Sequence, residues 1–446
     1  MARETPGPSL PCESAFDAHH PPAAELIDQC VHCGFCLPVC PTYALWNEEM
    51  DSPRGRIYLM KMAAEGEAAM NAKWVSHFDS CLGCMACMTA CPSGVDYGKL
   101  IEATRAQIER RYSRSFAEKI YRRMIFATFT RPERLRLLRW PLLAYQKSGL
   151  QRLLRSAGIL KLLPRKLRAM EALMPKLESS AAIAEVTPAD GVKRRRVGLL
   201  LGCVQREFFP GVNAATARVL AAEGCEVVAP AAQQCCGALM VHAGEESAAI
   251  DLARQMIDTF EQARVDTIVT NAAGCGSNVK EYGHLLRDDP NYSERAKAFS
   301  AKCKDITEIL VELEPRGMRH PLPMRVAFHD SCHLQHAQRV RLQPRNLLAR
   351  IPELELVEIP ESAICCGSAG IYNLVQPDAA NELGDRKAQL IVPLQADVVA
   401  TGNPGCLLQM QSALARTGHN ISVVHTIQLL DASLRGETPN SVLSRK

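Results

Sequence analysis

The sequence predicts an all-helical domain near the N-terminus, then a basic helical connector, then a duplicated α/β domain. Three observations lead to this fold class. A twelve-residue cysteine pattern occurs twice within the first hundred residues, and a stretch rich in leucine and arginine follows it. Beyond residue 193, strand-like and helix-like segments alternate while a set of cysteines repeats. The 446 residues, 47% hydrophobic and 22% charged, suit a folded chain of about three domains.

The repeated cysteine pattern is Cys-x2-Cys-x2-Cys-x3-Cys-Pro, at residues 30–41 and again at residues 81–92. This is the spacing of bacterial two-cluster ferredoxins, in which three cysteines of a run bind one 4Fe-4S cluster and the fourth binds its neighbour. We expect each proline to begin a helix that carries the fourth cysteine away. The pattern predicts two ligand sets, called here the first cysteine set (Cys30, Cys33, Cys36, Cys91) and the second cysteine set (Cys40, Cys81, Cys84, Cys87).

Two other chemistries use closely spaced cysteines. Structural zinc normally takes two Cys-x2-Cys hooks, and a triple hook with an outlying Cys-Pro fits that geometry poorly. Disulfides are disfavoured because the chain is long and its thiols are crowded into metal-ligand spacings. The segment between the two runs, beginning at Pro53, has helical periodicity, which favours an α-helical ferredoxin domain. Arg54 and Arg56 in this segment either screen the negative clusters or serve as solvated or capping residues.

The overall composition names no partner, since the formal net charge is only +4. Residues 1–22 are rich in proline and polar residues without an apolar core, so we expect a disordered lead-in rather than a signal peptide. No apolar run is long enough to span a bilayer. The nineteen cysteines then indicate a reducing cytoplasm, where thiolates stay available for iron.

The connector is strongly basic. Between Arg110 and Arg168 the only acidic residues are Glu118 and Glu133, and leucine faces with Trp140 recur between them. Short cationic amphipathic helices of this kind are typical of segments that lie on a membrane surface. A helical connector whose basic face meets solvent or an acidic partner subunit is equally compatible with the pattern. Nucleic acid is excluded as a partner because the stretch contains no recognition module.

The last 250 residues contain an internal repeat. Cys203, Cys-Cys-Gly at 235–237 and Cys275 recur as Cys332, Cys-Cys-Gly at 365–367 and Cys406, at offsets of 129, 130 and 131 residues. Buried strands are predicted at 197–202, 226–229 and 267–270, and again at 325–328, 354–359, 398–401 and 422–424, with helices between them near 212–222 and 245–263. Such alternation predicts mainly parallel sheets, in which ligands collect beyond the strand ends.

The repeated cysteines are candidate ligands for further clusters. Adjacent cysteines are poor disulfide partners for each other, and the whole set of Cys203, Cys235, Cys236, Cys275, Cys332, Cys365, Cys366 and Cys406 is duplicated. Cys225 and Cys303 have no counterpart, so we expect inert core thiols there. His329, His333 and His336 correspond to Leu200, Val204 and Glu207, which favours satisfied polar residues over metal ligands. No phosphate-binding glycine motif follows a strand, so the sequence indicates no nucleotide or flavin domain.

These features resemble a known family, the iron-sulfur subunits of glycolate oxidase. The resemblance runs from about Leu26 to Leu430 and rests on the two ferredoxin motifs, the two cysteine-rich CCG domains and several local matches. These are Cys30-Val-His-Cys-Gly-Phe-Cys, Pro53-Arg-Gly-Arg-Ile-Tyr-Leu, Asn213-Ala-Ala-Thr-Ala-Arg-Val-Leu, Gly274-Cys-Gly, Val279-Lys-Glu-Tyr-Gly, Leu334-Gln-His-Ala-Gln and Cys365-Cys-Gly-Ser-Ala-Gly.

The resemblance implies a function shared with other chains. FAD-binding subunits oxidise glycolate to glyoxylate, and this chain, without catalytic residues of its own, passes their electrons through two 4Fe-4S clusters to a quinone-type acceptor. We expect it on the cytoplasmic face of the inner membrane as a peripheral protein, with FAD only on its partners and one or two further clusters in the CCG domains. The substrate pocket would lie on another chain, so glycolate and lactate are not distinguished by this sequence.

Other families share this layout, namely lactate-utilisation proteins, the small subunit of anaerobic glycerol-3-phosphate dehydrogenase and heterodisulfide reductase. In the last, the final cysteine of each CCG domain belongs to a Cys-x2-Cys, whereas here Ser277-Asn278 and Leu408-Gln409 stand where that second cysteine would follow. Disulfide reduction is therefore the weaker alternative. The predicted domains are 23–110 (ferredoxin), 111–192 (connector), 193–318 and 319–434 (CCG domains with pseudo-twofold symmetry) and 435–446 (tail).

Overall fold

The computed structural model describes residues 13–177 and 183–444, which fall into two units. The first unit lies within Met1–Lys119 and Val241–Glu246, and the second within Ile120–Met240 and Ser247–Lys446. The N-terminal segment of the first unit ends at Lys119, so residues 111–119 of the predicted connector lie in the first unit and residues 120–192 lie in the second.

The first unit carries both ferredoxin motifs, and its described residues form helices and loops without a strand. Its helices are α1 (Ala24–Asp28), α2 (Pro41–Trp46), α3 (Pro53–Ala64), α4 (Ala72–Asp79), α5 (Ala86–Ala90) and α6 (Tyr97–Arg111), with a 3₁₀ turn at Glu49–Asp51. Helix α7 (Phe116–Phe129) runs on into the second unit. Pro41 begins α2 as predicted, but Pro92 lies in a turn after α5, so only one of the two motifs has the expected helix.

The sequence predicts that residues 1–22 are a disordered lead-in, and the part of this segment that the structure describes differs from that prediction. Residues 1–12 lie outside the described residues, whereas residues 13–22 pack on the first unit. Phe16 is buried and meets Trp74 edge to face with 6.0 Å between ring centres. Asp17 accepts hydrogen bonds from Gln107 and Arg110 of α6, which hold the pKa of its carboxyl at about 2. Residues 13–22 are therefore an ordered part of this unit.

The second unit begins with the connector helices and continues into two α/β halves. After α7 its helices are α8 (Pro132–Lys147), α9 (Leu150–Ser156), α10 (Arg165–Ala172), α11 (Cys203–Phe208), α12 (Pro210–Ala222), α13 (Ala238–Ala243), α14 (Glu246–Gln262), α15 (Ala273–Lys280), α16 (Tyr282–Leu285), α17 (Ser293–Lys302), α18 (Ile306–Glu312), α19 (Leu342–Leu348), α20 (Tyr372–Val375), α21 (Pro377–Ile391), α22 (Pro404–Arg416), α23 (Thr426–Leu434) and α24 (Pro439–Leu443). Shorter helical turns lie at Ile159–Leu162, His333–Ala337 and Val392–Leu394.

Each half contains one sheet. The strands are β1 (Val186–Thr187), β2 (Arg195–Leu200), β3 (Cys225–Val228), β4 (Thr267–Thr270), β5 (Cys303–Asp305), β6 (Met324–Phe328), β7 (Leu354–Glu358), β8 (Val398–Thr401) and β9 (Ser422–His425). The strand orders are β1-β3-β2-β4-β5 and β7-β6-β8-β9, and all pairs except β1 with β3 are parallel. Without β1, the two sheets have the same order, as duplication of one domain predicts.

One apolar core joins the two halves. It contains residues of both central strands, such as Val197 and Leu199 of β2 and Val326 and Phe328 of β6, and residues of α12 and α23. Across this core, Arg218 of α12 makes a two-pronged ion pair of 2.9 and 2.6 Å with Asp431 of α23, whose carboxylate is almost fully buried. The predicted tail also contributes, since Val442 of α24 is fully buried in this core.

The connector packs along the two halves. Helix α8 contacts α11 of the first half through Leu135, which is buried with Leu177 and Phe208. Helix α10 contacts α20 and α21 of the second half. Among the described residues, no helix has both the length and the apolarity that crossing a membrane requires.

Candidate metal centres

The two ferredoxin motifs repeat in backbone conformation as well as in sequence. The residues on either side of the second cysteine have positive φ in both runs: His32 (54°) and Gly34 (87°) around Cys33, and Gly83 (62°) and Met85 (61°) around Cys84. Positive φ is unfavourable for side-chain-bearing residues such as His32 and Met85. Each run therefore folds into a similar turn around its second cysteine.

The first cysteine set lines one cavity. Cys30, Cys33 and Cys36 of the first run border this cavity, and so does Cys91, the fourth cysteine of the second run. Cys33 is exposed, and the other three are partly buried. Burial raises the pKa of the Cys30 thiol and raises that of Cys36 to about 11. Cys87 of the second cysteine set borders the same cavity, so the four cysteines of the first set lie around it together with one cysteine of the second.

The second cysteine set is buried. Cys40, Cys81, Cys84 and Cys87 are each at most 8% exposed. Burial raises the pKa of Cys87 well above its usual value, and the thiols of Cys84, Cys81 and Cys40 raise it further. The charges of Cys84, Cys81, Cys40 and Cys36 all act on Cys87, so Cys40, the fourth cysteine of the first run, lies near the second run together with Cys36.

Cys81 has an environment unlike that of Cys87. Its sulfur accepts a hydrogen bond from the Gly83 N–H at 3.4 Å and lies 3.6 Å from the Tyr97 hydroxyl. Burial raises the pKa of Cys81, but the positive charges of Arg56 and Arg105 outweigh this effect and hold the pKa below its usual value. The residues around Cys81 thus stabilise the thiolate, the form that binds iron.

The two arginines of α3 lie beside different cysteine sets. The Nη1 of Arg54 donates to the His32 carbonyl oxygen at 3.0 Å, and its guanidinium pairs with Glu49 at 2.6 Å. Arg56 is buried and donates to the His77 carbonyl oxygen at 2.5 Å. The sequence could not choose between screening and solvated roles for these residues. In the structure Arg54 is partly exposed, whereas Arg56 is fully enclosed beside Cys81 and Cys40.

The cysteines of the first CCG half come from three segments that follow the ends of parallel strands. Cys203 begins α11 after β2, Cys235 and Cys236 follow β3, and Cys275 lies in α15 after β4. The sulfurs of Cys203 and Cys235 are 3.4 Å apart, and Cys236 contacts Cys275. The four thiols form one row at the sheet edge where ligands were predicted. Thiol neighbours and burial raise the pKa of Cys203 well above its usual value.

The second CCG half repeats this arrangement after β6, β7 and β8. The sulfurs of Cys332 and Cys365 are 3.9 Å apart, and Cys366 contacts Cys406, whose sulfur also accepts a 3.5 Å hydrogen bond from Asn403 Nδ2. The glycine after each cysteine pair has positive φ, 83° at Gly237 and 91° at Gly367. In both halves this glycine lies against the second helix after it, at Ala249 of α14 and at Ala380 of α21.

The surroundings of the two rows differ. Because Ala249 and Ala380 are equivalent, Met256 of α14 corresponds to Lys387 of α21, and both side chains are buried. Hydrogen bonds from neighbouring thiols hold the pKa of Cys365 well below its usual value, and His329 adds to this effect. The first half has its own cation, Arg206, close to Cys203. No pattern in the sequence marks Lys387 as buried, since a lysine in an amphipathic helix is normally exposed.

Two further cysteines and three histidines lie outside or beside the cysteine rows. Cys225 in β3 and Cys303 in β5 are buried thiols away from both rows, and burial raises their pKa to about 11 and about 12. His333 Nδ1 lies 3.3 Å from Ser277 Oγ, and His336 Nε2 lies 3.2 Å from the Ala363 carbonyl oxygen. His329 Nδ1 lies 3.2 Å from Thr401 Oγ1, and burial lowers its pKa to about 4. In the described chain no hydrogen-bond partner lies within reach of His329 Nε2.

Three protein-family models match successive parts of the chain. Residues 26–95 match a 4Fe-4S dicluster domain, and residues 117–174 match the linker region of the glycolate oxidase iron-sulfur subunit. Residues 197–280 and 326–411 match a cysteine-rich domain twice. These matches coincide with the ferredoxin motifs, the connector and the two α/β halves.

Curated relatives cover nearly the whole chain. The chain is 41% identical to the probable glycolate oxidase iron-sulfur subunit of Bacillus subtilis (strain 168) over 91% of its length and 93% of the relative. It is 37% identical to the glycolate oxidase iron-sulfur subunit of Escherichia coli (strain K12) over 93% of its length and 96% of the relative. Lactate utilization protein A of Exiguobacterium is 31% identical over 54% of this chain and 98% of its own. With both ferredoxin motifs, the linker and both cysteine-rich halves matched, the chain belongs to the family of glycolate oxidase iron-sulfur subunits.

Proposed function

We propose that this chain is the electron-transfer subunit of a flavin-dependent 2-hydroxy-acid dehydrogenase complex that oxidises glycolate to glyoxylate. The observation that carries the proposal is a family relationship that covers more than nine-tenths of the chain, and the eight cysteines of the two ferredoxin motifs support it. Partner subunits that bind FAD perform the chemistry on glycolate, and the electrons leave through this chain to a quinone-type acceptor.

The first cysteine set and the second cysteine set would each hold one 4Fe-4S cluster. Such clusters, when bound, supply one-electron transfer. The chain's contribution is to present four thiols at each site, to keep water from the second set by burial, and to expose Cys33 at the edge of the first set. That exposed edge is where electrons can be exchanged with a partner protein over a short distance.

The two rows of CCG cysteines are proposed to hold one or two further clusters. Each row offers four thiols on segments that follow the ends of parallel strands, and the shared strand order supports a pseudo-twofold relationship between the halves. The donor set of four cysteines suits an iron-sulfur cluster. Neither row has the fifth cysteine expected for disulfide reduction, which disfavours the heterodisulfide reductase alternative.

Glycolate is favoured over lactate or glycerol 3-phosphate by the connector. Residues 117–174 match the linker model of the glycolate oxidase subunit, whereas the lactate utilization relative aligns with only 54% of this chain. The connector, in which this chain matches the glycolate oxidase subunit, lies outside the electron-transfer sites. We therefore expect it to affect which partner subunits assemble with the chain.

We also propose peripheral contact with the inner membrane through the connector. Its outward side exposes Leu137, Trp140, Leu153 and Leu162, each more than 60% exposed. Exposed cations accompany them at Lys147, Arg152 and Lys161. Aromatic and aliphatic side chains among cations are typical of helices that lie at an anionic lipid surface.

The test begins with purification of the chain from its native membranes and identification of its companions. We expect FAD-binding subunits among them. The isolated chain should not oxidise glycolate, but its iron-sulfur absorbance should bleach when the flavoprotein and glycolate are both added.

Substitution of lactate for glycolate in that assay distinguishes the two substrates. Faster bleaching with lactate than with glycolate would identify lactate as the preferred substrate of the complex. Thiol production from a disulfide by the isolated chain would instead favour a reductase and contradict the proposal.

A further inference from the structure

Arg56 joins the two chain segments that supply the second cysteine set. Its Nε donates to the His77 carbonyl oxygen at 2.5 Å, and its Nη2 donates to Ser80 Oγ at 2.8 Å, one residue before Cys81. The same Nη2 lies 3.2 Å from the hydroxyl of Thr42, two residues after Cys40. One buried guanidinium therefore holds together segments that are 41 residues apart in sequence.

The positive charge of Arg56 is only partly balanced by protein groups. Its nearest carboxylate is Asp51, whose Oδ1 lies 3.3 Å away. That same oxygen also accepts a 2.7 Å hydrogen bond from Ser80 and lies 3.0 Å from His77 Nδ1. Burial of a guanidinium is costly unless nearby negative charge compensates it. The remaining compensation is available on the cysteine side, because Cys81 and Cys40, together with the Tyr97 hydroxyl, are the other groups whose negative charge acts on Arg56.

The other arginine of α3 lacks these properties. Arg54 pairs with both oxygens of Glu49, at 2.6 and 3.1 Å, and its side chain is 28% exposed. A charge that is paired and in contact with solvent has a weak effect on its neighbours, whereas a buried charge acts through a lower effective dielectric constant. The two cysteine sets thus have different electrostatic environments.

We propose that Arg56 is a positioning residue that raises the reduction potential of the cluster held by Cys40, Cys81, Cys84 and Cys87 above that of the cluster held by the first cysteine set. Reduction adds one electron, supplied by the partner's flavin, and a buried positive charge stabilises the more negative reduced state. The inference rests on the proposed function only for the assignment of these cysteines to one cluster. It makes the buried site the preferred location of an electron that enters the first unit.

The test is an EPR-monitored redox titration of the intact complex with Arg56→Gln, Arg56→Lys and Asp51→Asn. We expect Arg56→Gln to lower the equilibrium constant for reduction of one of the two clusters at least tenfold. For a one-electron couple this is a decrease of about 59 mV in the reduction potential at which its EPR signal appears. Arg56→Lys should restore most of that loss because it keeps the charge. Asp51→Asn should move the same signal in the opposite direction, because it removes the negative charge that opposes Arg56.

Two controls separate this effect from damage to the fold. Lys61→Gln removes an exposed charge from the same helix and should leave both signals in place. Cys84→Ser identifies the signal of the second set. If Arg56→Gln loses its iron, Arg56→Lys and Asp51→Asn still decide the question.

Several results would overturn the inference. They are an unshifted signal in Asp51→Asn, equal shifts of both signals, or a loss in Arg56→Lys as large as in Arg56→Gln. If the unmodified complex did not show both cubane signals, this result would instead contradict the proposed function itself.

Discussion

Arg139 donates a 2.6 Å hydrogen bond to the backbone carbonyl oxygen of Glu207, and its side chain is buried. Arg136, one turn earlier on α8, pairs with the Glu207 carboxylate at 3.3 Å. Two of the connector's arginines therefore hold α8 on α11. The basic character of the connector in sequence combines side chains that pack within the protein with others that face outward.

Arg139→Gln should destabilise the second unit by about 1–3 kcal/mol, because a buried carbonyl oxygen loses a charged donor. Thermal unfolding of the intact chain measures this. Binding to anionic vesicles should not change. A loss of vesicle binding without a loss of stability would show that Arg139 contacts lipid.

Exposed apolar residues of the connector should matter more for membrane contact. Trp140→Ser combined with Leu162→Ser should weaken binding to anionic vesicles at least tenfold, since each fully buried apolar side chain contributes about 1.5–3 kcal/mol. Flotation with vesicles at low and high salt measures this, and the wild-type interaction should weaken with salt. Leu342→Ser is the matched control, because Leu342 is also exposed but lies in the second half. An equal effect of Leu342→Ser would contradict a connector-specific surface.

Cys33→Ser and Cys84→Ser should each remove or convert one cubane, because serine is a poor replacement for a thiolate ligand. Iron content and EPR spin counts measure the change. Retention of two intact cubanes in either variant would contradict the proposed ligand sets.

The same substitution tests the CCG rows. If the second row holds a cluster, the wild-type chain contains more iron than two cubanes supply, and Cys366→Ser should lower this iron content. Cys225→Ala should leave the iron content unchanged. Cys225 is equally buried but lies in β3, away from the row. Identical iron contents for wild type and Cys366→Ser would mean that the second row binds no cluster.

Gly367→Ala should be more harmful than Gly237→Ala. Both glycines have positive φ, which costs a residue with a side chain about 1–2 kcal/mol. An added Cβ at Gly367 would lie 2.5 Å from the Ala380 carbonyl oxygen, against 3.4 Å from the Ala249 carbonyl oxygen at Gly237. Overpacking should therefore add about 1–3 kcal/mol of destabilisation at Gly367 only. Chemical denaturation of both variants compares them, and equal losses would refute the difference.

His425 should make stability depend on pH. Its Nδ1 accepts from the Ile427 N–H at 3.1 Å, and its Nε2 lies 2.8 Å from the Asn271 carbonyl oxygen. Burial lowers its pKa from 6.5 to about 4, so the unfolded chain binds a proton more readily than the folded chain below pH 6.5. The stabilisation is complete above pH 6.5 and is lost as pH falls toward 4, by about 2 kcal/mol between pH 7 and pH 5.

His425→Asn keeps a helix-capping residue but removes this titration. The variant should be less stable than wild type at pH 7, and the gap should narrow by pH 5. A gap that stays constant across this range would show that His425 does not titrate as its burial requires.

The sequence predicts much of the fold because its strongest signals are local. The cysteine spacing, the continuous apolar runs of β2, β4 and β8, and the offset of 129 to 131 residues all survive in the structure. The strands β1 and β5 are missed because two and three residues carry too little pattern.

The missed features of the sites depend on distant parts of the chain. The burial of Arg56 requires His77, Ser80 and Thr42 together. The burial of Lys387 requires Glu361, whose backbone carbonyl oxygen accepts a 2.6 Å hydrogen bond from the Lys387 ammonium. Local spacing gives no sign of such partners. The ordering of residues 13–22 likewise depends on Trp74 and α6, far along the chain.

The apolar core shared by the two α/β halves limits how the chain can be divided. Its members come from β2 and β6 and from α12 and α23, so this part of the interior is shared, although each half also has a smaller core of its own. A chain cut near residue 318 would leave two fragments with large apolar faces in contact with water. The duplicated halves therefore cannot be gained or lost one at a time, and we expect residues 183–444 to unfold in a single calorimetric transition.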